Sequence, residues 1–186
     1  MDIVDIYMEC GDFHTAVRQS GLPVHIAHLQ LLRAGCLKVQ DKINFGTKGA
    51  KLGAQAEEKF QQLVPQAIDA NRFFKKNNPV YDFCVKNLTI DVKFSSLHVG
   101  QKRQKAPHWA IRCRGEQDFL CAFLEREQGD KLNDPIILLI PNQFVTNKDK
   151  IHISKDSYWI KEFELEAEEL APLLNEYAKL KEQGII

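Results

Sequence analysis

Two aspartates and a lysine occur within twelve residues of one apolar stretch, residues 79–96. They follow the pattern D-x8-D-x-K, formed by Asp82, Asp91 and Lys93. Carboxylate oxygens are the ligands that Mg²⁺ and Mn²⁺ prefer, and the backbone carbonyl of Val92 could supply another oxygen. A lysine beside such a metal could orient or help to deprotonate a water molecule and hold a phosphate. The pattern therefore indicates a site for phosphodiester hydrolysis by metal-activated water.

The segment that carries these residues predicts a β-hairpin. Residues 80–85 and 88–94 are rich in β-branched and aromatic side chains, and Lys86-Asn87 suits the tight turn between them. Asp91 and Lys93, two positions apart, lie on one face of the second arm. A strand that ends on a solvated face would produce the same short pattern. Charges on an apolar hairpin are costly unless they pair or hold a metal, which favours a site.

The elements on either side of the hairpin would position the site. Residues 50–64 predict an amphipathic helix that ends at Pro65 and carries Glu57 and Glu58 on its second turn. Strands are predicted at residues 109–114, 118–124 and 135–140, with a short edge strand at 151–153 and a last helix at 164–182. This order predicts an α/β fold in which a mixed sheet is flanked by helices.

These motifs resemble those of the PD-(D/E)xK superfamily, the restriction-endonuclease-like nucleases. Tyr81-Asp82 stands where the superfamily has Pro-Asp, and Asp91-Val92-Lys93 matches the (D/E)xK half. The helix at 50–64 resembles the superfamily's opening helix, and the resemblance covers about residues 48–145. It implies a restriction-endonuclease-like mixed sheet, Mg²⁺ or Mn²⁺ as the cofactor, metal ligands at Asp82, Asp91 and Val92, and catalytic residues at Glu57 (with Glu58 as the rival), Asp82, Asp91 and Lys93.

The first 46 residues predict a separate small helical domain. Helices at about residues 3–9, 12–19 and 24–33 are divided by glycine turns, with Asp12 as an N-cap. The last two resemble a helix-turn-helix, and residues 36–39 and 43–45 could add the strands of a wing. A plain helical hairpin used for packing, or a segment that binds another protein, is the alternative. The outward DNA-binding candidates are Val24, His25, His28, Gln30 and Arg33, and the apolar face is Ile26, Leu29 and Leu32.

Positive charge is local rather than general. The formal net charge is zero, which removes the whole-chain basic signature of many nucleic-acid-binding proteins. Residues 93–114 nevertheless hold six lysines and arginines and no acidic residue. The residues expected to contact a DNA backbone there are Ser95, Ser96, Lys102, Arg103 and Lys105, although a solvated basic loop would have the same composition.

The sequence as a whole predicts a Mg²⁺-dependent endodeoxyribonuclease, a hydrolase acting on duplex or branched DNA. Its domains would be a helix-turn-helix-like DNA-binding domain at residues 1–46 and a nuclease-like domain at 47–186. A homodimer would allow both strands to be cut. Five scattered cysteines without a CxxC pair, and the lack of a signal peptide or long apolar run, predict a cytoplasmic protein with no membrane partner. The alternative function is a non-catalytic DNA-binding or regulatory protein that retains the nuclease fold.

Overall fold

The computed structural model describes residues 2–38, 48–70, 81–100, 106–113 and 115–185. Within these residues the chain is a mixed α/β protein, with N-terminal helices, a six-stranded mixed sheet against which helices pack, and a small two-stranded sheet. None of the described helices is long and apolar enough to cross a membrane.

The N-terminal helices are α1 (Ile3–Cys10), α2 (Phe13–Ser20) and α3 (Val24–Ala34). Asp12 caps α2 as predicted, because its Oδ1 accepts a hydrogen bond from Thr15 N at 2.7 Å. The helix α2 ends at Ser20 and is capped by Gly21, whose φ of 67° lies in the left-handed region that glycine tolerates. The helices form a hydrophobic cluster of their own, which includes Ile3, Tyr7, Phe13, Ala16, Ala27 and Leu31.

The structure differs from two expectations for this region. Of the expected apolar face, Leu32 packs against the hydrophobic cluster but Leu29 is 43% exposed, and the fully buried positions of α3 are Ala27 and Leu31. The small Ala27 allows close packing that a pattern of large apolar residues does not indicate. Residues 36–38 form no strand, because the chain hydrogen-bonds back to α1, with Lys38 N donating to Tyr7 Oη at 2.7 Å. Residues 39 and 43–45 and the domain boundary at 46–47 lie outside the described residues.

The remaining helices are α4 (Lys48–Leu63), α5 (Tyr158–Phe163) and α6 (Ala167–Glu182). The strands are β1 (Ile68–Asp69), β2 (Phe83–Val85), β3 (Leu88–Ser95), β4 (His108–Arg112), β5 (Phe119–Leu124), β6 (Ile136–Pro141), β7 (Lys150–Ser154) and β8 (Glu164–Leu165). The large sheet has the order β1-β2-β3-β5-β6-β8, in which only β3 and β5 are parallel, and β4 pairs with β7 in the small sheet.

The two faces of the large sheet are covered by different elements. On β3 and β5, Ile90, Val92 and Cys121 face the cluster that contains buried residues of α4 and α6. Alternate positions such as Leu120 and Ala122 face the buried side of the small sheet. The helices α4 and α6 therefore lie on one face of the large sheet, and the small sheet lies on the other.

The predicted element types are confirmed for the hairpin, the apolar strands and the long helices, and the differences lie at their ends. The first hairpin arm is shorter than predicted, since Tyr81 and Asp82 form a bend before β2. The last helix does not begin at residue 164: residues 164–165 pair with β6 as β8, and α6 begins after Glu166, which forms a capping box with Glu169. Pro172 lies inside α6, and α5 was not predicted.

Candidate active site

The site forms where β2 stops pairing with β3. Antiparallel pairing on this side ends at Phe83 and Ile90. Asp82 then occupies the edge of β3: its N donates to Ile90 O at 2.9 Å, and its Oδ2 accepts a hydrogen bond from Val92 N at 2.8 Å. The carbonyl of Asp82 also accepts a bond from Ala70 N at 2.9 Å. The carboxylate thus satisfies a main-chain donor that a longer β2 would have paired, and this fixes it beside β3.

Asp91 and Lys93 lie on the same face of β3, the one opposite Ile90 and Val92. Lys93 Nζ forms an ion pair with Asp91 Oδ1. Asp91 is only 3% exposed, and its Oδ2 accepts no hydrogen bond from the described residues. A buried carboxylate oxygen without a donor destabilises the folded protein, so a proton or a cation bound at Asp91 would be stabilising.

The electrostatics of the pair reflect this burial. Burial raises the pKa of Asp91 to about 7, an effect that Lys93 opposes and that the neighbouring Asp82 carboxylate strengthens. For Lys93, burial by itself would lower the pKa, but the carboxylates of Asp91, Asp82 and Glu57 outweigh it and hold the pKa above its ordinary value. Near neutral pH the site therefore contains a protonated lysine amid three acidic side chains.

An open cleft of about 450 Å³ is lined by Asp82, Val92 and Lys93, while the buried Asp91 is ion-paired to Lys93 and does not line the cleft itself. One side of the cleft is α4, which presents Glu57 together with Gly49 and Gly53. A Cβ added at either glycine would meet no atom within 4 Å among the described residues outside the backbone of α4. Glu57 is 8% exposed. Glu58 lines a different groove, beside Lys131 and Leu132, which favours Glu57 as the acid of the site. The cleft is also lined by Lys93, Ser96, His98 and Ala110.

Of the residues predicted to contact a DNA backbone, the structure describes the two serines but not the three basic residues. Ser95 is 5% exposed, and its hydroxyl donates to Ala110 O at 3.2 Å and accepts from Ala110 N at 3.1 Å. Its hydroxyl therefore joins β3 to β4, and both Ser95 and Ser96 line the cleft. The three basic residues expected to contact DNA, Lys102, Arg103 and Lys105, lie outside the described residues.

The N-terminal candidates differ in exposure. His25 and Arg33 are exposed on α3, as are Val24 and Gln30. His28 is partly buried, packs edge-on against Phe13 with ring centroids 6.0 Å apart, and has an Nε2 without a hydrogen-bond partner among the described residues. The outward assignment therefore fits the other four side chains better than it fits His28.

A larger cavity, of about 650 Å³, lies at the other end of β3 and contains none of the predicted site residues. It is bordered by Leu88, where β3 begins, and by Glu116, Glu162 and Glu164. Lys181 also lines it, but its Nζ is paired with Asp118 at 2.7 Å. This negative lining is unsuited to a phosphate, and we therefore place the candidate active site in the smaller cleft.

The donor set decides what metal the cleft could hold. Within the described residues, no group of three or more His, Cys, Asp and Glu side chains is arranged to bind a metal. The available ligands are the carboxylates of Asp82 and Asp91, with the carbonyl of Val92. Mg²⁺ is usually bound through one or two carboxylates together with substrate phosphates. This set fits a hard cation shared with a substrate, because Asp91 Oδ2 has no partner within the part of the chain that the structure describes.

Some of the site could not be found from the sequence pattern. His98 and Ala110 enter the cleft because the chain after β3 pairs with β4 through the bridge between His98 and His108. No motif marks either residue.

The chain matches no protein-family model and no curated protein.

Proposed function

We propose that this protein is a metal-dependent DNA endonuclease of the PD-(D/E)xK type that hydrolyses phosphodiester bonds. The observation that carries the proposal is the group beside β3, where its pairing with β2 ends: Asp82 is fixed by Val92 N, and the buried Asp91 is ion-paired to Lys93. Among the described residues, Asp91 Oδ2 has no hydrogen-bond partner. Glu57 and an open cleft adjoin this group. Hard oxygen ligands next to a cation in an accessible cleft suit the binding of a metal and a phosphate together.

In this proposal the carboxylates bind the metal and the lysine binds the phosphate. Asp82 and Asp91 hold Mg²⁺ or Mn²⁺ together with the carbonyl of Val92. The bound cation would supply activation of the attacking water and neutralisation of charge on the phosphate. Because its pKa is raised, Lys93 Nζ keeps its proton at neutral pH. Lys93 therefore acts as a positive group that binds the scissile phosphate, rather than as the base that removes a proton from water.

The finer architecture belongs to the same proposal. The opening helix α4, the hairpin of β2 and β3, and the apolar strands β5 and β6 follow the order expected of a restriction-endonuclease-like core. The pair α2 and α3, joined at Gly21, would act as a helix-turn-helix with His25 and Arg33 towards the DNA. This arrangement would deliver duplex or branched DNA to the cleft.

A cleavage assay tests the proposal. Supercoiled plasmid and a branched duplex are incubated with the protein in Mg²⁺, Mn²⁺ or EDTA, alongside Lys93→Met and Asp82→Asn variants. The matched control is Lys179→Met, since Lys179 is exposed on α6 and pairs only with Glu176 among the described residues. We expect metal-dependent cleavage by the wild type and the control, and its loss in both site variants. Equal cleavage by Lys93→Met and the control would refute the assignment.

One observation favours the non-catalytic alternative, a DNA-binding or regulatory protein with a nuclease-like core. The described residues lack a three-ligand metal group, so turnover depends on a substrate phosphate completing the metal's coordination. DNA binding in EDTA that is unchanged by Asp82→Asn, without cleavage in any metal tested, would favour this alternative over the enzyme.

A further inference from the structure

The outward face of the small sheet carries a row of basic side chains. The strands β4 and β7 are antiparallel, with His108 opposite Ser154, Ala110 opposite His152, and Arg112 opposite Lys150. Alternation along both strands turns every second residue into the core. Those buried residues are Trp109, Ile111, Ile151 and Ile153.

We call His98, His108, Arg112, Lys150 and His152 the basic face. His98 extends the row beyond β4, because its main chain exchanges two hydrogen bonds with His108, at 2.9 and 3.1 Å. The rings of His98 and His108 lie 5.6 Å apart, and those of His108 and His152 lie 5.7 Å apart. The outward positions of the two strands hold no acidic residue.

The pairing of Arg112 with Lys150 is unfavourable for folding. Like charges directly opposite each other in an antiparallel pair destabilise a sheet, whereas a carboxylate at either position would form a favourable cross-strand pair. The carboxylates that flank β7 in the sequence are Asp149, which makes an interaction of its own, and Asp156, and neither lies at an outward position of the two strands. An arrangement that opposes folding yet leaves both cations exposed is expected where an anion binds.

The basic face is continuous with the candidate active cleft. His98 and Ala110 line the cleft, and Ala110 is joined to β3 through the Ser95 hydroxyl. From His108 to Arg112 the strand extends about 13 Å, at about 3.3 Å per residue. One DNA strand advances about 3.4 Å per nucleotide along the duplex axis, so the face spans about four nucleotides. A backbone with its scissile phosphate at Lys93 would pass over these side chains.

We propose that the basic face binds the sugar–phosphate backbone of the DNA strand that flanks the scissile phosphate. Arg112 and Lys150 pair with phosphates, and the histidine ring nitrogens donate hydrogen bonds to phosphate oxygens. This inference rests on the proposed function for the identity of its ligand. It assigns the face a positioning role and no part in the chemical step.

The test measures DNA binding without cleavage. A fluorescently labelled 30-base-pair duplex is titrated in EDTA over a series of salt concentrations, and fluorescence anisotropy is recorded. The principal variant is Arg112→Glu/Lys150→Glu, which keeps a like-charge pair across the strands and therefore a similar folding cost. A second variant, Lys150→Glu, creates a cross-strand ion pair with Arg112 and is expected to melt no lower than the wild type.

We expect the double variant to bind DNA at least about tenfold more weakly and to lose about 2 from the salt-dependence slope. Lys150→Glu should show a smaller loss in the same direction, and the control Lys179→Glu, on the opposite face of the large sheet, should show none. Unchanged affinity and slope in the folded double variant would overturn the proposal, as would a wild type that binds anionic vesicles but not DNA. Binding that follows this pattern without any cleavage would support the basic face and count against the proposed enzyme.

Discussion

Asp91→Asn should stabilise the fold, because the folded protein buries a carboxylate that it does not fully satisfy. Asp91 is 3% exposed, its Oδ2 has no hydrogen-bond partner among the described residues, and its pKa rises from 3.8 to about 7. At about 1.36 kcal/mol per pKa unit, this shift means that ionisation of Asp91 lowers the free energy of unfolding by about 4 kcal/mol. The asparagine amide also needs partners, so we expect a net gain of about 2–3 kcal/mol above pH 7.

The pH dependence distinguishes this explanation from a general packing effect. Because the pKa is higher in the folded protein, folding binds a proton between about pH 4 and pH 7. The stability associated with the protonated carboxyl is complete below pH 4 and is lost as the pH rises to about 7. At pH 4 only the cost of the asparagine amide remains, so Asp91→Asn should be about 1–2 kcal/mol less stable than the wild type there. Its relative stability should then increase up to about pH 7 and stay constant above it.

Urea unfolding in EDTA at pH 4, 5.5 and 8 measures this difference, with the fluorescence of Trp109 and Trp159 as the signal. Asp134→Asn is the control, since that carboxylate is exposed in a surface ion pair with Arg126 and should change little. A destabilising effect at pH 8, or a stabilisation of equal size at pH 4 and pH 8, would refute the reasoning. Added Mg²⁺ should stabilise the wild type more than the variant, because the cation would compensate the charge of Asp91.

Three further substitutions test the surroundings of the site. Gly53→Ala should raise the free energy of unfolding by about 0.5–1 kcal/mol through helix propensity. It should also slow cleavage, because the added methyl enters the cleft and meets no described residue outside the backbone of α4. A variant that is both less stable and equally active would contradict this. Glu125→Ala should lower the free energy of unfolding in urea by about 2–4 kcal/mol. The reason is that this buried carboxylate accepts hydrogen bonds from the N–H groups of Leu97, Gly129 and Lys131. A loss under 1 kcal/mol would show that water replaces the carboxylate. Asp118→Asn should lower the free energy of unfolding by about 1 kcal/mol, because it weakens the ion pair to Lys181. The cleavage rate should not change, since Asp118 lies at the opposite end of β3 from the cleft. A large loss of activity would contradict that separation.

Local patterns were sufficient to predict most elements of the fold. The tight turn at Lys86-Asn87, where Lys86 adopts a φ of 54°, and the apolar strands β5 and β6 follow from composition and spacing along a few residues. The buried stripe of α4 follows from the 3.6-residue period. The strand β8 could not be predicted in this way, because a two-residue strand has no period and forms only by pairing with β6.

The candidate site shows the same division. Alternation along β3 was sufficient to predict that Asp91 and Lys93 share one face, and the two-residue turn brings the segment of Asp82 close to them. The shortness of β2, which lets the Asp82 carboxylate accept the N–H of Val92, and the position of Glu57 in the cleft depend on long-range packing.

The basic face could not be predicted from any single segment of the sequence. It exists because β4 and β7, about forty residues apart in the chain, bury Trp109 and Ile153 against the large sheet and leave His108, Arg112, Lys150 and His152 outside. Pairing between remote segments depends on the total apolar area that the fold can bury, and no short window of sequence contains that quantity.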